Sequence, residues 1–369
     1  VNHRMRVVTV LGTRPEIIRL SLIIQKLDAL AEEHVLVHTG QNFSPSLSDI
    51  FFEELGLRQP DYRLGQSMLS LGRQLAVMFG EIEGILNAHR PDVVLLLGDT
   101  NSALCSVMAE RMGIPVVHME AGNRCYDLSV PEEKNRRIID AVSTINMPYT
   151  SYSKGNLLRE GFPAGRIVLT GNPIHEVISH YMPQIGASDV LERLGLAPGG
   201  YMLVTAHRAE NVDSPERLAG ILDGLNRIAR RFDKRLICSV HPRTRSRIDE
   251  GEKRMAMDER VEFFEPFGFF DFVQLERHAA CAITDSGTVQ EECCLFHVPT
   301  VTIRQTTERP ETVDCGSNVV CGLKAARMEE AVVVMTALPP KWQCPDGYLA
   351  DDVSDKVVKF VLGGKWDVH

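Results

Sequence analysis

Short apolar runs alternate with amphipathic stretches from one end of the chain to the other. In the first half the runs 6–11, 34–39, 93–97, 116–119, 145–149 and 167–169 are each followed by a glycine or a polar residue. Their dense Val, Leu and Ile content predicts strands covered on both faces, as in a parallel sheet. The rhythm restarts with the runs 201–205, 236–240, 261–264, 280–284 and 300–303, and 214–231 reads as a helix. Such alternation predicts an α/β fold built of two similar parallel-sheet halves. Between them, Asn172-Pro173, Met182-Pro183 and Ala197-Pro198-Gly199-Gly200 punctuate a linking segment. The expected organisation is therefore a domain over 1–171, a linker over 172–200, a second domain over 201–350, and a C-terminal helix over 351–369 that packs back on the first domain.

Composition narrows the possibilities. The chain has 369 residues, 44% hydrophobic and 24% charged, which excludes disordered and fibrous architectures. Forty basic against 49 acidic side chains leave a formal charge of −9. That is a poor footprint for gripping nucleic acid or an anionic membrane, so neither is an expected partner. No apolar run approaches the ~20 residues of a bilayer span, and the run 7–11 is too short for a signal-peptide core, so the expected compartment is the cytoplasm. The nine cysteines show no C-x-x-C spacing, which argues against a zinc ribbon or a disulfide framework.

Chemistry concentrates directly after the predicted strands: Gly12-Thr13-Arg14-Pro15-Glu16, Gly98-Asp99-Thr100, Glu120-Ala121-Gly122, Ala206-His207-Arg208, His241-Pro242-Arg243 and Asp285-Ser286-Gly287. Open parallel sheets bind ligands beyond the carboxyl ends of their strands, so two such domains facing across a cleft would line it with these residues. One motif alone reads more readily as a helix cap than as a site, with Asp99-Thr100 or Asp285-Ser286 in that role. Six together point to a binding site.

The segment Asp285 to Glu292 passes from strand to helix through Gly287, so its backbone N–H groups form an anion site, and the carboxylates one turn on suit a ribose. Neither G-x-G-x-x-G nor G-x-x-x-x-G-K-[ST] occurs, which argues against a dinucleotide cofactor and against a P-loop. His175 and His180 lie five apart rather than the four a zincin helix needs. No metal and no cofactor is expected. Asp99, Glu120, Glu132, Glu133, His207 and His241 form the kind of carboxylate and imidazole group that proton transfer on both faces of a substrate carbon requires. Glu132 and Glu133 follow Pro131 in the first turn of a helix, where the helix dipole also favours carboxylates for purely structural reasons.

At these residues the sequence resembles the non-hydrolysing UDP-N-acetylglucosamine 2-epimerase family over nearly its whole length. The motifs are those named above together with Asn135-Arg136, Glu210-Asn211, Gln290-Glu291-Glu292 and Thr306-Thr307-Glu308-Arg309-Pro310-Glu311. The resemblance implies a GT-B-like fold of two Rossmann-type domains around a deep cleft, a UDP-sugar substrate and a homodimer. It implies that Arg14, His207, Ser286 and Gly287 hold the diphosphate, joined by Thr288 and His241, and that Glu292 holds the ribose. Phe272, expected in the loop after 261–264, would lie near the uracil. Asp99, Glu120, Glu132 and His207 would surround the reacting sugar carbons. The run Glu120-Ala121-Gly122-Asn123-Arg124-Cys125-Tyr126-Asp127 leading to Val130-Pro131 resembles the branch that makes UDP-N-acetyl-L-fucosamine for capsule and O-antigen, from UDP-2-acetamido-2,6-dideoxy-L-talose.

A 2-acetamido sugar nucleotide has no carbonyl beside C2, so simple enolisation is closed to it. The expected route is loss of the C2 proton with departure of UDP, then re-addition on the other face, with Asp99 and Glu120 as the acid/base pair. The competing expectations are the parent UDP-N-acetylglucosamine to UDP-N-acetylmannosamine epimerisation, a GT-B glycosyltransferase, a hydrolysing epimerase and a nucleotide-sugar sensor.

Overall fold

The computed structural model describes residues 5–41, 45–65, 70–206, 208–240, 242–252 and 256–364. The chain forms two compact units, Val1–His180 with Asp346–His369, and Tyr181–Pro345. The first junction falls at 180/181, inside the segment read as a linker, which folds into the short helices Ile174–His180, Met182–Gly186 and Val190–Arg193.

The first unit holds six parallel strands: β1 (Arg6–Leu11), β2 (Glu33–His38), β3 (Tyr62–Arg63), β4 (Val93–Leu97), β5 (Val116–Met119) and β6 (Ile145–Met147), in the order β3-β2-β1-β4-β5-β6. Val8, Val10, Val35, Val37, Val94 and Leu96 pack with Met78, Ile82, Leu86 and Ile139 in one buried cluster. Two expectations change here. The run 167–169 forms no strand, because Ile167 makes only a single bridge to Asn146. The sixth strand is instead β3, two exposed residues at the sheet edge.

The second unit repeats the plan with β7 (Tyr201–Thr205), β8 (Arg235–Ser239), β9 (Val261–Phe264), β10 (Ala282–Thr284), β11 (Thr300–Thr302) and β12 (Asn318–Val320), in the order β12-β11-β10-β7-β8-β9. Renumbered from its own first strand, this is the same 3-2-1-4-5-6 order as in the first unit. Alternation along β7 sends Met202 and Val204 into a cluster with Leu218, Leu222 and Met328. Tyr201 and Leu203 pack on the other face with Leu275 and Val289. Both faces are covered, as the apolar runs require. Among the described residues no helix is long and apolar enough to cross a membrane.

The direction of winding reverses between β1 and β4, and again between β7 and β10. These switch points are where doubly wound sheets bind ligands. The motifs Gly12-Thr13-Arg14 and Gly98-Asp99 follow the first pair of strands, and Asp285-Ser286-Gly287 follows β10. The C-terminal helix Val353–Gly363 belongs to the first unit, where Lys26 Nζ meets Ser354 Oγ and Asp355 Oδ1, each at 2.6 Å.

Glu16 ties the first switch point together. It opens the helix Arg14–Leu30, accepts backbone N–H bonds from Gly12 (2.5 Å) and Thr13 (2.9 Å), and takes a third from the Thr100 hydroxyl at 2.6 Å. Burial outweighs these donors and, with Asp99 nearby, pushes its carboxyl up to about 7. A carboxyl raised in the folded state stabilises the fold below its unfolded value, and that contribution is lost as pH rises through the folded value. Wild type should therefore lose up to ~3 kcal/mol relative to Glu16→Gln between pH 4.5 and 8. Urea unfolding of both proteins across that range tests this, and a pH-independent difference would refute it.

Candidate functional site

In the first unit, the turns after β4 and β5 carry the carboxylates. Gly98 (φ +83°), Glu120 (φ +63°) and Gly122 (φ +80°) are left-handed. For glutamate this conformation costs on the order of 1–2 kcal/mol, so the surroundings must impose it. A Cβ on Gly122 would stand 2.4 Å from the Ser153 carbonyl oxygen, so this position admits only glycine.

Asp99 Oδ2 receives Arg136 Nε at 3.1 Å and Nη2 at 2.5 Å, and Asn135 Nδ2 donates to the Asp99 carbonyl at 3.0 Å. Arg136 also donates to Glu133 at 2.7 Å. Glu133 is fully buried and accepts from the backbone N–H groups of Cys125 (3.0 Å) and Tyr126 (3.3 Å). Burial works against its charge, but the Cys125 N–H and Arg136 prevail and hold its carboxyl below the usual range. The structure thus separates the two glutamates after Pro131: Glu133 is a scaffold residue, while Glu132 is half-buried on the same helix turn. Glu120 Oε2 lies 4.0 Å from Nε of the buried Arg19. Arg14 stacks over the Phe51 ring at 5.0 Å from its centroid.

In the second unit the site forms where β10 runs into the helix Gly287–Leu295. Ser286 occupies the N-cap position, yet its hydroxyl turns to Thr288 Oγ1 at 3.0 Å and does not cap the helix. Buried Asp285 accepts from Arg208 N (3.0 Å) and Asn211 Nδ2 (3.2 Å), while Arg208 Nε donates to the Asp285 carbonyl at 2.9 Å. Glu308 bridges Arg208 Nη2 (3.3 Å) and Arg304 Nη1 (2.7 Å). A Cβ on Gly287 would come within 2.6 Å of Glu308 Oε1, so this cluster lies against the helix N-terminus. Buried Arg304 Nη2 has no hydrogen-bond partner among the described residues. A buried guanidinium nitrogen left so is costly unless a ligand completes it.

One helix turn on, Gln290 accepts from Thr307 Oγ1 (2.6 Å) and from Asn318 Nδ2 on β12 (3.0 Å), which ties the loop before the helix Pro310–Asp314 and the strand β12 to this helix. Glu291 is committed to Arg309, and Glu292 is buried beside it. The expected place of Phe272 needs correction. It lies not in a loop but inside the helix Phe269–His278, with its ring buried among Tyr201, Leu203, Leu275 and Val289. Gly268 at the N-cap starts the helix earlier than the run of phenylalanines indicates. His207 and His241 lie outside the described residues. Arg304 was not foreseen, since it follows a three-residue strand and belongs to no recognisable motif.

The chain as a whole is similar to known proteins. A family model described as UDP-N-acetylglucosamine 2-epimerase matches residues 25–362. The UDP-N-acetylglucosamine 2-epimerase of Methanocaldococcus jannaschii is 37% identical over 368 residues, covering 98% of this chain and all of that one. The UDP-2,3-diacetamido-2,3-dideoxy-D-glucuronate 2-epimerase of Pseudomonas aeruginosa is 36% identical over 86% of this chain and 88% of its own length. The crystal structure of the M. jannaschii enzyme with UDP-GlcNAc and UDP superposes with a TM-score of 0.91 at 38% identity, covering 97% and 99% of the two chains. The Neisseria meningitidis enzyme bound to UDP-GlcNAc gives 0.86 at 25% identity, with the same coverage.

The anion site makes a direct prediction. Arg304→Met should weaken pyrophosphate and UDP binding roughly 10- to 100-fold, the worth of one or two charge-assisted hydrogen bonds. Calorimetric titration measures it, and unchanged affinity would remove Arg304 from the site.

Proposed function

The chain belongs to the UDP-N-acetylglucosamine 2-epimerase family and is an isomerase of that class, and from this premise we propose how its own residues invert C2 of a UDP-2-acetamido sugar. A carboxylate of the first unit takes the C2 proton. The C2–H electron pair becomes the C1–C2 double bond of a glycal, and the C1–O bond breaks with its electrons leaving on UDP. A second group returns a proton to the opposite face of C2 while the UDP oxygen adds back to C1. Asp99 and Glu120 are the proposed acid/base pair, with Glu132 and His207 supporting. Ser286, Gly287, Thr288, Arg14 and His207 are the proposed diphosphate ligands, with His241 beside them and Glu292 on the ribose.

The observation that carries this reading is the candidate anion site itself: a helix N-terminus whose cap hydroxyl is turned aside, with a buried arginine nitrogen that has no hydrogen-bond partner among the described residues. Such a site takes up negative charge as it develops on the leaving diphosphate, without reorganising. The proposed acid/base carboxylates stand at strand-end turns of the first unit.

For the sugar, the full-length likeness to UDP-N-acetylglucosamine 2-epimerases supports UDP-N-acetylglucosamine and UDP-N-acetylmannosamine. The P. aeruginosa relative acts on a different sugar at nearly the same identity, so identity alone does not choose. A second reading, UDP-2-acetamido-2,6-dideoxy-L-talose to UDP-N-acetyl-L-fucosamine, is favoured by the Asn123 to Asp127 segment. Two of those residues have structural duties: Asn123 accepts from Ser153 Oγ at 2.7 Å, and Arg124 pairs with Asp140 and Glu160. Their identity therefore reports the loop's scaffold, and UDP-N-acetylglucosamine is the leading reading.

Incubation with each UDP-sugar alone tests this. We expect UDP-N-acetylmannosamine to form from UDP-N-acetylglucosamine without UDP accumulating. A higher kcat/KM with the 6-deoxy-L-talo sugar would move the assignment to the second reading, and no C2 change without an acceptor would point to a glycosyltransferase. Asp99→Asn and Glu120→Gln should each lose roughly 10²- to 10⁴-fold in turnover with UDP affinity retained. His207→Asn should weaken both turnover and UDP binding. Wild-type turnover in either amide variant would overturn the roles.

A further inference from the structure

The turns after β4 and β5, which carry Asp99 and Glu120, are joined from behind by a buried pair that touches neither carboxylate. His118, on β5, and Asp140, on the helix Pro131–Val142, both have fully buried side chains. His118 Nε2 lies 2.8 Å from the Gly98 carbonyl, and a carbonyl only accepts, so this nitrogen carries a proton. His118 Nδ1 lies 2.8 Å from Asp140 Oδ1. The other Asp140 oxygen accepts from Gly122 N at 3.1 Å and from Arg124 Nη1 at 2.7 Å. One chain of polar contacts thus runs from Gly98, next to Asp99, through His118 and Asp140 to Gly122, two residues beyond the left-handed Glu120, with hydrogen bonds at its two ends and a close imidazole–carboxylate contact between them.

Resting on the reading given under Proposed function, we propose that His118 and Asp140 are positioning residues that fix the Asp99 and Glu120 turns relative to each other. Proton transfer to two faces of one carbon demands carboxylates held in fixed mutual geometry, because a misplacement of about 1 Å can cost ~10²-fold in rate. The three left-handed residues lie beyond the ends of β4 and β5, where the main chain joins the turns through the Gly98 N–H, which donates to the Met119 carbonyl at 3.0 Å. The pair adds a side-chain hold: it clamps one main-chain carbonyl in the first turn and one main-chain N–H in the second. Burial alone would raise the Asp140 carboxyl, but His118 and Arg124 outweigh it and hold it below the usual range. The clamp is therefore a charged acceptor.

Two amides take the clamp apart. Glutamine at 118 can place an N–H near the Nε2 position and keep the Gly98 bond, whereas asparagine reaches only the Nδ1 position and loses it. We expect His118→Asn to lower kcat about 10- to 100-fold, with KM for the UDP-sugar and UDP affinity within about threefold of wild type. His118→Gln should recover most of that kcat. Equal kcat in wild type and both variants would overturn the proposal. So would a loss shared equally by Asn and Gln and matched by a fall in Tm, which marks a merely structural histidine. If neither variant folds, Asp140→Asn decides: it keeps an oxygen for Gly122 N but loses the charge, and a folded variant with wild-type kcat would refute the clamp. Failure of the underlying reading looks different, because wild type would then epimerise no UDP-sugar at all.

Discussion

A carboxylate buried away from water must find donors for its oxygens, and the way Asp140 meets that demand shapes the candidate site of the first unit. Its partners are His118, Arg124 and the main chain of Gly122, and two of the three sit in or beside the turn that bears Glu120. A turn with left-handed Glu120 and Gly122 is unfavourable for a free peptide. It persists here because relaxing it would strip a buried anion of a donor, at a cost of about 1–3 kcal/mol or more. Glu16, whose carboxyl burial pushes up to about 7, ties the neighbouring turns together as a buried acceptor for Gly12, Thr13 and Thr100. Buried carboxyl groups thus hold strand-end loops, ordinarily the most mobile parts of an α/β unit, in fixed conformations.

The second unit solves the opposite problem. Its helix Gly287–Leu295 begins beside Arg208, Arg304, Asp285 and Glu308, two cations against two carboxylates. The helix N-terminus and the Arg304 guanidinium are donor groups of the kind that suits an anionic ligand. Both units use the same strand order, with Asp99 in one and Asp285-Ser286-Gly287 in the other following a strand at the point where that order reverses. Asp99 is paired there with Arg136, and Asp285 with the main chain of Arg208.

Much of this was legible in the sequence, because the central strands are long apolar runs and the chemistry follows them immediately. The edge strands were not. β3 is two exposed residues and β12 offers only Val319-Val320 after Asn318, so neither forms an apolar run long enough to mark a strand, while 167–169 has an apolar run but lies beyond the sheet's last partner. Phe272 was misplaced because an aromatic-rich start to a helix resembles a loop rim. His118 and Asp140 escaped notice as a pair, since nothing local connects a strand histidine with a helix aspartate 22 residues later. A signal did exist: Glu133, Arg136 and Asp140 fall at i, i+3 and i+7, a charged stripe on the buried face of a helix. Charges on a face that should be apolar mark a buried network, and here that network backs the site.

In the proposed inversion the C2 proton passes to a protein group open to exchange with solvent. Turnover of UDP-N-acetylglucosamine in deuterium oxide, followed by proton NMR, reads that step: an epimer carrying deuterium at C2 is expected, and an epimer that keeps its original C2 proton would rule the route out.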